Sequence, residues 1–289
     1  MRFAQLTDTD GLSRLAVLRD QRALVLCELD PALPRTLQAL IDTDALDAVR
    51  AAVASAAGEV WLPLSDFGRA IVLTPPKIMA IGVNYRDHAT EQAAIPPETP
   101  IVFALWSNSL SCHDDTVTWD GAQTSQVDFE VELGVVLGRD ARDVAVENAL
   151  DYVFGYTVVN DISARDLQFL DLQWSRSKSL DGFTPVGPVV VTADEIPDPQ
   201  GLTLWCDVDG ERLQYVSTRD MHRSVAALIA YLSRGLTLEA GTLISTGTPG
   251  GVGYFREPQV FLGDGSTVTV GVEGIGELTT HCRVRPAGR

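Results

Sequence analysis

The chain has 289 residues, and its 39 acidic residues outweigh 22 Lys and Arg to give a formal net charge of −17. That balance excludes a nucleic-acid binder as the default, because phosphate binding needs clustered positive charge. No apolar run approaches the ~18 residues of a membrane span. Asp8 and Asp10 stand where a signal peptide would carry its apolar stretch, so a cytoplasmic protein is expected.

In chain order, residues 1–6, 15–17 and 23–29 read as short strands separated by Asp10-Gly11 and Asp20-Gln21 turns. Leu37, Leu40, Ile41, Leu46, Val49 and Val53 then recur at helical spacing and predict one or two amphipathic helices over 34–57. These elements make a small N-terminal α/β domain over 1–74, ending at the Pro75-Pro76 pair. From 75 to 289 the texture changes to β-rich runs at 78–83, 127–137, 154–159, 186–192, 202–208, 242–245 and 267–272. Short helices are expected only at 85–92, within 161–173 and at 224–232. The fold class predicted is α+β, mostly β, with a rolled or barrel-like larger domain and small helices at its mouth. Cys27, Cys112, Cys206 and Cys282 lie far apart with no C-x-x-C pair, which predicts free thiols and argues against a zinc or redox motif.

Four segments carry candidate chemistry. In Asp128-Phe-Glu130-Val-Glu132-Leu133, strand alternation sends Glu130 and Glu132 to one face, where two carboxylates repel unless a cation sits between them. Asp161 follows the next strand; three carboxylates without His or Cys beside them would favour Mg²⁺, Mn²⁺ or Ca²⁺ over zinc. Alone, such a Glu-x-Glu is also consistent with a solvated strand face. Next, Asn84 resembles a helix N-cap with Asp87 at N3, and His88 and Glu91 would share one face of the helix it starts. A histidine held by a carboxylate suits a general base near neutral pH. Pro96, Pro97 and Pro100 after it favour a loop or lid. Third, Lys178, one of only two lysines with Lys77, lies in a polar loop near Asp181 and could stabilise an anion as a compact charge. Last, the glycines of 245–253 let backbone N–H groups approach an anionic ligand, although no P-loop is present. His113, His222 and His281 stand in separate contexts and read as structural.

Taken in order, Gly82-Val-Asn84-Tyr85-x-x-His88-x-x-Glu91, the Asp128–Leu133 segment, Asn160-Asp161-x-Ser163-Ala164-Arg165-Asp166, Lys178-Ser-x-Asp181 and Thr246-Gly-Thr-Pro-x-Gly-Val-Gly253 resemble the fumarylacetoacetate hydrolase family. The likeness runs from about residue 75 to 284. It implies a β-roll catalytic domain, a homodimer, and Mg²⁺ or Mn²⁺ held by Glu130, Glu132 and Asp161. It further implies a His88–Glu91 dyad that moves a proton, Lys178 holding developing negative charge, and Tyr85, Arg165, Gln214 and Thr248 contacting a small oxo-acid substrate. The activity implied is hydrolytic C–C cleavage of an acylpyruvate-like or β-diketo acid. The same electron sink supports decarboxylation of an oxaloacetate-like acid or isomerisation of a 2-hydroxydienoate, and a ligand-binding scaffold without turnover is the remaining alternative. Members often carry a basic residue where Leu105 stands in Phe103-Ala-Leu105, which predicts a substrate with a less charged, more hydrophobic far end.

Overall fold

The computed structural model describes residues 1–93, 95 and 98–286, and of residue 59 the backbone alone; Pro96 and Pro97 lie outside the described residues. Strands Arg2–Thr7, Ser13–Arg19 and Arg22–Val25 form an antiparallel meander. Alternation along it sends Phe3, Leu15, Val17 and Leu24 to one face, where they pack on Leu37, Leu40, Ile41, Val49 and Val53. Those residues come from two helices, Leu37–Asp42 and Leu46–Ser55. The first is capped by Thr36, whose Oγ1 accepts the Ala39 N–H at 3.1 Å. Asp44, at φ 49°, turns the chain between the two. The strand expected over 23–29 stops at Val25 and becomes one helical turn, Leu26–Leu29, closed by the Asp30 N–H on the Leu26 carbonyl. Pro31 follows, and its missing N–H gives a ladder nothing to continue with.

The opposite face of the meander carries Ala4, Leu6, Ala16, Ala23 and Val25 into the main core. Arg2–Thr7 also pairs antiparallel with Thr184–Thr192. The leading strands thereby extend a twelve-stranded sheet that continues through Val153–Asn160, Val131–Leu137, Leu243–Ser245, Ile78–Gly82 and Ile101–Ala104. A second sheet of five strands runs in the order Glu211–Ser217, Thr203–Val208, Thr267–Val272, Gly276–Arg285 and Thr116–Asp120. Val131, Leu133 and Val135 of the first sheet share the main core with Leu204, Val268, Val270 and Leu278 of the second. The class is α+β and mostly β, as expected, but the sheets are open and packed on each other rather than closed into a barrel.

Two local expectations are corrected near the site. The run 127–137 is not one strand: Val127–Asp128 pairs with Ser163–Ala164, and Val131–Leu137 pairs with Val153–Asn160. The break falls at Phe129 and Glu130, where the Glu130 N–H turns to the Asn160 side chain at 3.1 Å. The helix expected over 85–92 spans Arg86–Glu91, and Asn84 does not cap it. The Asn84 amide is instead shared among the Arg223 N–H, the Arg223 carbonyl and the Thr246 carbonyl, so it ties two distant loops together. The cysteines are free, three of them buried. Among the described residues no helix is long and apolar enough to cross a membrane.

Candidate active site

Glu132 leaves strand Val131–Leu137 on the face opposite Val131 and Leu133, and Glu130 stands two residues before it, at the break that precedes the strand. Asp161 is delivered by the end of the paired strand Val153–Asn160, its N–H donating to the Glu130 carbonyl at 2.9 Å. One oxygen from each of these three buried carboxylates falls within 4.8 Å of the others. Lys178 reaches in from the loop before Thr184–Thr192; its Nζ donates to Asp161 at 2.7 Å and to Glu130 at 2.8 Å. Arg165, at the start of helix Arg165–Leu170, joins Glu130 at 2.6 Å and a fourth buried carboxylate, Asp128, at 2.8 Å.

Electrostatics divides these carboxyls. Burial opposes the charged form of Glu130, yet Lys178, Arg165 and His88 outweigh it and hold the group at about 2. Burial pushes Glu132 well above the usual carboxylate range, helped by the charges of Asp161 and Glu130. Burial also raises Asp161, to about 6, with Glu130 adding to the effect and Lys178 opposing it. Four carboxylates face two cations, Arg165 and Lys178, so full ionisation leaves two negative charges unbalanced. Asp161 Oδ1 is buried without a hydrogen-bond partner. An all-oxygen donor set, an excess of two charges and an orphaned carboxylate oxygen fit a hard divalent cation.

The glycine-rich segment plays a part the sequence did not suggest. Its N–H groups hold the protein's own carboxylates: Gly247 donates to Glu132, Gly251 to Glu91 and Gly253 to Asp128, at 2.7–2.8 Å. The Ser245 hydroxyl adds a 2.6 Å bond to the same Glu132 oxygen. Gly247 needs its lack of side chain: φ is 98°, and a Cβ would stand 2.8 Å from that of Asn84.

His88 lies on helix Arg86–Glu91 with its Nδ1 2.6 Å from Glu91, three residues on, as the spacing predicts. Its other nitrogen, Nε2, meets the Gln92 amide at 2.5 Å. His88, Glu130, Arg165, Lys178 and Thr248 line one cavity. Gln214 and Tyr85 are not among its lining residues. Gln214 accepts from the Val131 N–H and donates to Thr248 and the Pro249 carbonyl, fastening the glycine-rich loop to the strand that carries Glu132. Tyr85 is fully buried, and burial together with the Glu132 charge pushes its phenol well up. Leu105 is buried just past the end of strand Ile101–Ala104, among the apolar residues that pack with Phe3 and Leu40, and is not a lining residue either. The groups missed from sequence are Asp128, Gln92, Gln168, Phe169, Trp174 and Phe255. Only Asp128 and Gln92 carried a signal, from their place beside Glu130 and one helical turn after His88.

The model of the fumarylacetoacetate hydrolase C-terminal domain matches residues 77–283. Among solved structures, the chain is similar to a fumarylacetoacetate hydrolase from psychrophilic Exiguobacterium antarcticum, at 35% identity and TM-score 0.86, covering 99% of this chain and 100% of that one. It is also similar to a maleylpyruvate hydrolase from Sphingobium sp. SYK-6, solved in complex with manganese(II) and pyruvate, at 28% identity and TM-score 0.81 over 98% and 99% of the two chains. A 5-carboxymethyl-2-hydroxymuconate delta-isomerase from Mycobacterium smegmatis aligns over the full length of both chains at 29% identity and TM-score 0.78. The matched span contains every charged group of the cavity, and the fold is shared from end to end. The chain therefore belongs to the fumarylacetoacetate hydrolase family, whose members among these neighbours are hydrolases and isomerases.

Proposed function

We propose that this protein hydrolyses a C–C bond in an acylpyruvate-like 2,4-dioxo acid. The observation that carries the reading is one cavity lined by a carboxylate-held histidine on one side and by Glu130, Arg165 and Lys178 on the other. Mg²⁺ or Mn²⁺ held by Glu130, Glu132 and Asp161 would supply Lewis-acid polarisation of the 2-oxo acid head. A manganese(II) and pyruvate complex of a 28% identical relative supports that choice of ion and head group.

Glu91 takes the Nδ1 proton of His88 in a hydrogen bond, which leaves Nε2 as the basic nitrogen. A water in the position the Gln92 amide now takes beside Nε2 gives up a proton there. The hydroxide adds to the carbonyl carbon remote from the head, and the bond between that carbon and C3 breaks. Its electron pair becomes the enolate of pyruvate; the acyl group leaves as a carboxylic acid. Lys178 balances the enolate charge, and the proton held by His88 returns to C3, so pyruvate and a free acid are the products. A second reading, isomerisation of a 2-hydroxydienoate, uses the same proton movements without water, and the 29% identical isomerase favours keeping it.

The test is product analysis of the Mg²⁺-supplemented protein with an acylpyruvate, oxaloacetate and a 2-hydroxydienoate, each beside His88→Ala. Pyruvate plus the free acid, lost in the variant, is the expected result. CO₂ from oxaloacetate alone, or tautomerisation alone, overturns hydrolysis.

A further inference from the structure

The cavity encloses only about 60 Å³, and polar and apolar residues share its lining about equally. Its two lining cations are both engaged: Lys178 by Glu130 and Asp161, Arg165 by Asp128, Glu130 and the Gln168 side chain. The neutral polar side chains of the lining are engaged as well, Gln92 with His88, Gln168 with Arg165 and Thr248 with Gln214, and the remainder is aliphatic or aromatic, with Phe103, Phe169, Trp174 and Phe255 supplying the rings.

Ring contacts order these side chains into two walls. On one side Lys178 stands 5.4 Å over the Phe103 ring, which meets Trp174 edge-on at 5.4 Å. Trp174 lies against Gly82, where a Cβ would come within 2.4 Å of its ring, so only glycine leaves room for the indole. On the other side Phe255 meets His88 edge-on at 6.2 Å, Tyr254 packs on Phe255, and Phe169 lies 4.8 Å from Tyr254. Phe169 is 60% exposed and so stands at the mouth.

We propose that Trp174 and Phe169 are specificity-determining residues that select a 2-oxo acid with a short, uncharged, apolar far end. The inference rests on the reading that the carboxylate end takes the 2-oxo acid head. A second carboxylate would leave water for a space walled by rings, where Arg165 and the neutral polar side chains are already paired within the protein and Lys178 serves the head of the substrate. Stripping its hydration without a partner carries a cost that an alkyl group of the same shape avoids. Trp174 sets the length of the far group, because its ring fills the room above Gly82. The sequence reaches a similar expectation through Leu105, but the residues that create the apolar end are these.

Two unreactive, nearly isosteric ligands test it: N-isobutyloxamate and N-oxalylglycine share the oxamate head and differ in an isopropyl against a carboxylate. Calorimetric titration of the Mg²⁺-supplemented full chain should give at least about tenfold tighter binding of the isobutyl compound. Phe169→Ala should weaken that compound while leaving unsubstituted oxamate unchanged, and Trp174→Ala should improve binding of N-benzyloxamate relative to N-isobutyloxamate. Equal affinities, tighter N-oxalylglycine, or binding of neither ligand overturns the inference. Should Trp174→Ala fail to fold, the wild-type ligand pair and the mouth variant Phe169→Ala still decide. The expected order of affinities without pyruvate from any acylpyruvate overturns hydrolysis and leaves the selectivity; the reverse order with pyruvate formed overturns the selectivity alone.

Discussion

The leading strands and helices and the carboxylate centre are held together in opposite ways. Among described residues 1–76, Gln5 is the only buried polar side chain, and Phe3, Leu24, Leu37 and Leu40 pack carbon against carbon. Around the centre, Asp128, Glu130, Glu132, Asp161, Arg165 and Lys178 are all buried and depend on one another. A single buried apolar side chain contributes area and packing, which fall off gradually when it is trimmed. A buried ion contributes only while its partner is present, because the survivor otherwise keeps an uncompensated charge in a low-dielectric interior. The same chain therefore contains a region tolerant of small changes and one in which each member is needed by the next.

The sharpest break between the two regions is catalytic. His88→Ala is expected to lower turnover by about 10²- to 10⁴-fold with the fold intact by circular dichroism, the usual weight of a general base; steady-state kinetics checks it. Next comes Lys178→Met, which strips Glu130 and Asp161 of a shared cation. Its expected cost is about 3–5 kcal/mol in urea unfolding, with part recovered on adding Mg²⁺ because an ion that binds only the folded form stabilises it by mass action. Unchanged stability would erase the contrast between the regions.

In the apolar region, Leu40→Ala should cost about 2–5 kcal/mol by the same measurement, with Mg²⁺ adding as much stability as it does to the unaltered chain. A Mg²⁺ response that changed with Leu40 would mean that the two regions share one energetic unit. Smallest, Thr36→Ala and Ser224→Ala each remove a helix N-cap, that of Leu37–Asp42 in the apolar region and that of Val225–Leu232 outside it, and each should cost about 1 kcal/mol. A clear difference between these two would show that capping, a local effect, feels its surroundings after all.

Much of the fold could be read along the chain, for reasons visible in particular residues. Leu37, Leu40, Ile41, Val49 and Val53 mark helices because a helix must bury one stripe, and all five are buried. The strand over residues 267–272 is recovered end to end, since its alternation is uninterrupted. Readings failed where a side chain had business elsewhere in the molecule: Asn84 looked like a cap and instead ties Arg223 to Thr246, and the run from 127 breaks where Glu130 turns toward Asn160.

The candidate site divides along the same line. Its residue types and near neighbours were determined by the sequence itself: Glu130 and Glu132 two residues apart, His88 and Glu91 one helical turn apart, and the ordered motifs of the family. The His88–Glu91 pair is set by the helical period of 3.6 residues, which a sequence displays directly, whereas Glu130 reaches its place at a break that no period marks. Tertiary structure alone decided that Lys178 lies between Asp161 and Glu130, that Gly247, Gly251 and Gly253 hold carboxylates of the protein itself, and that Trp174 covers Gly82. These contacts join residues from 17 to 160 positions apart. No local period reaches across such gaps; only the packing of two sheets and their loops brings the partners together.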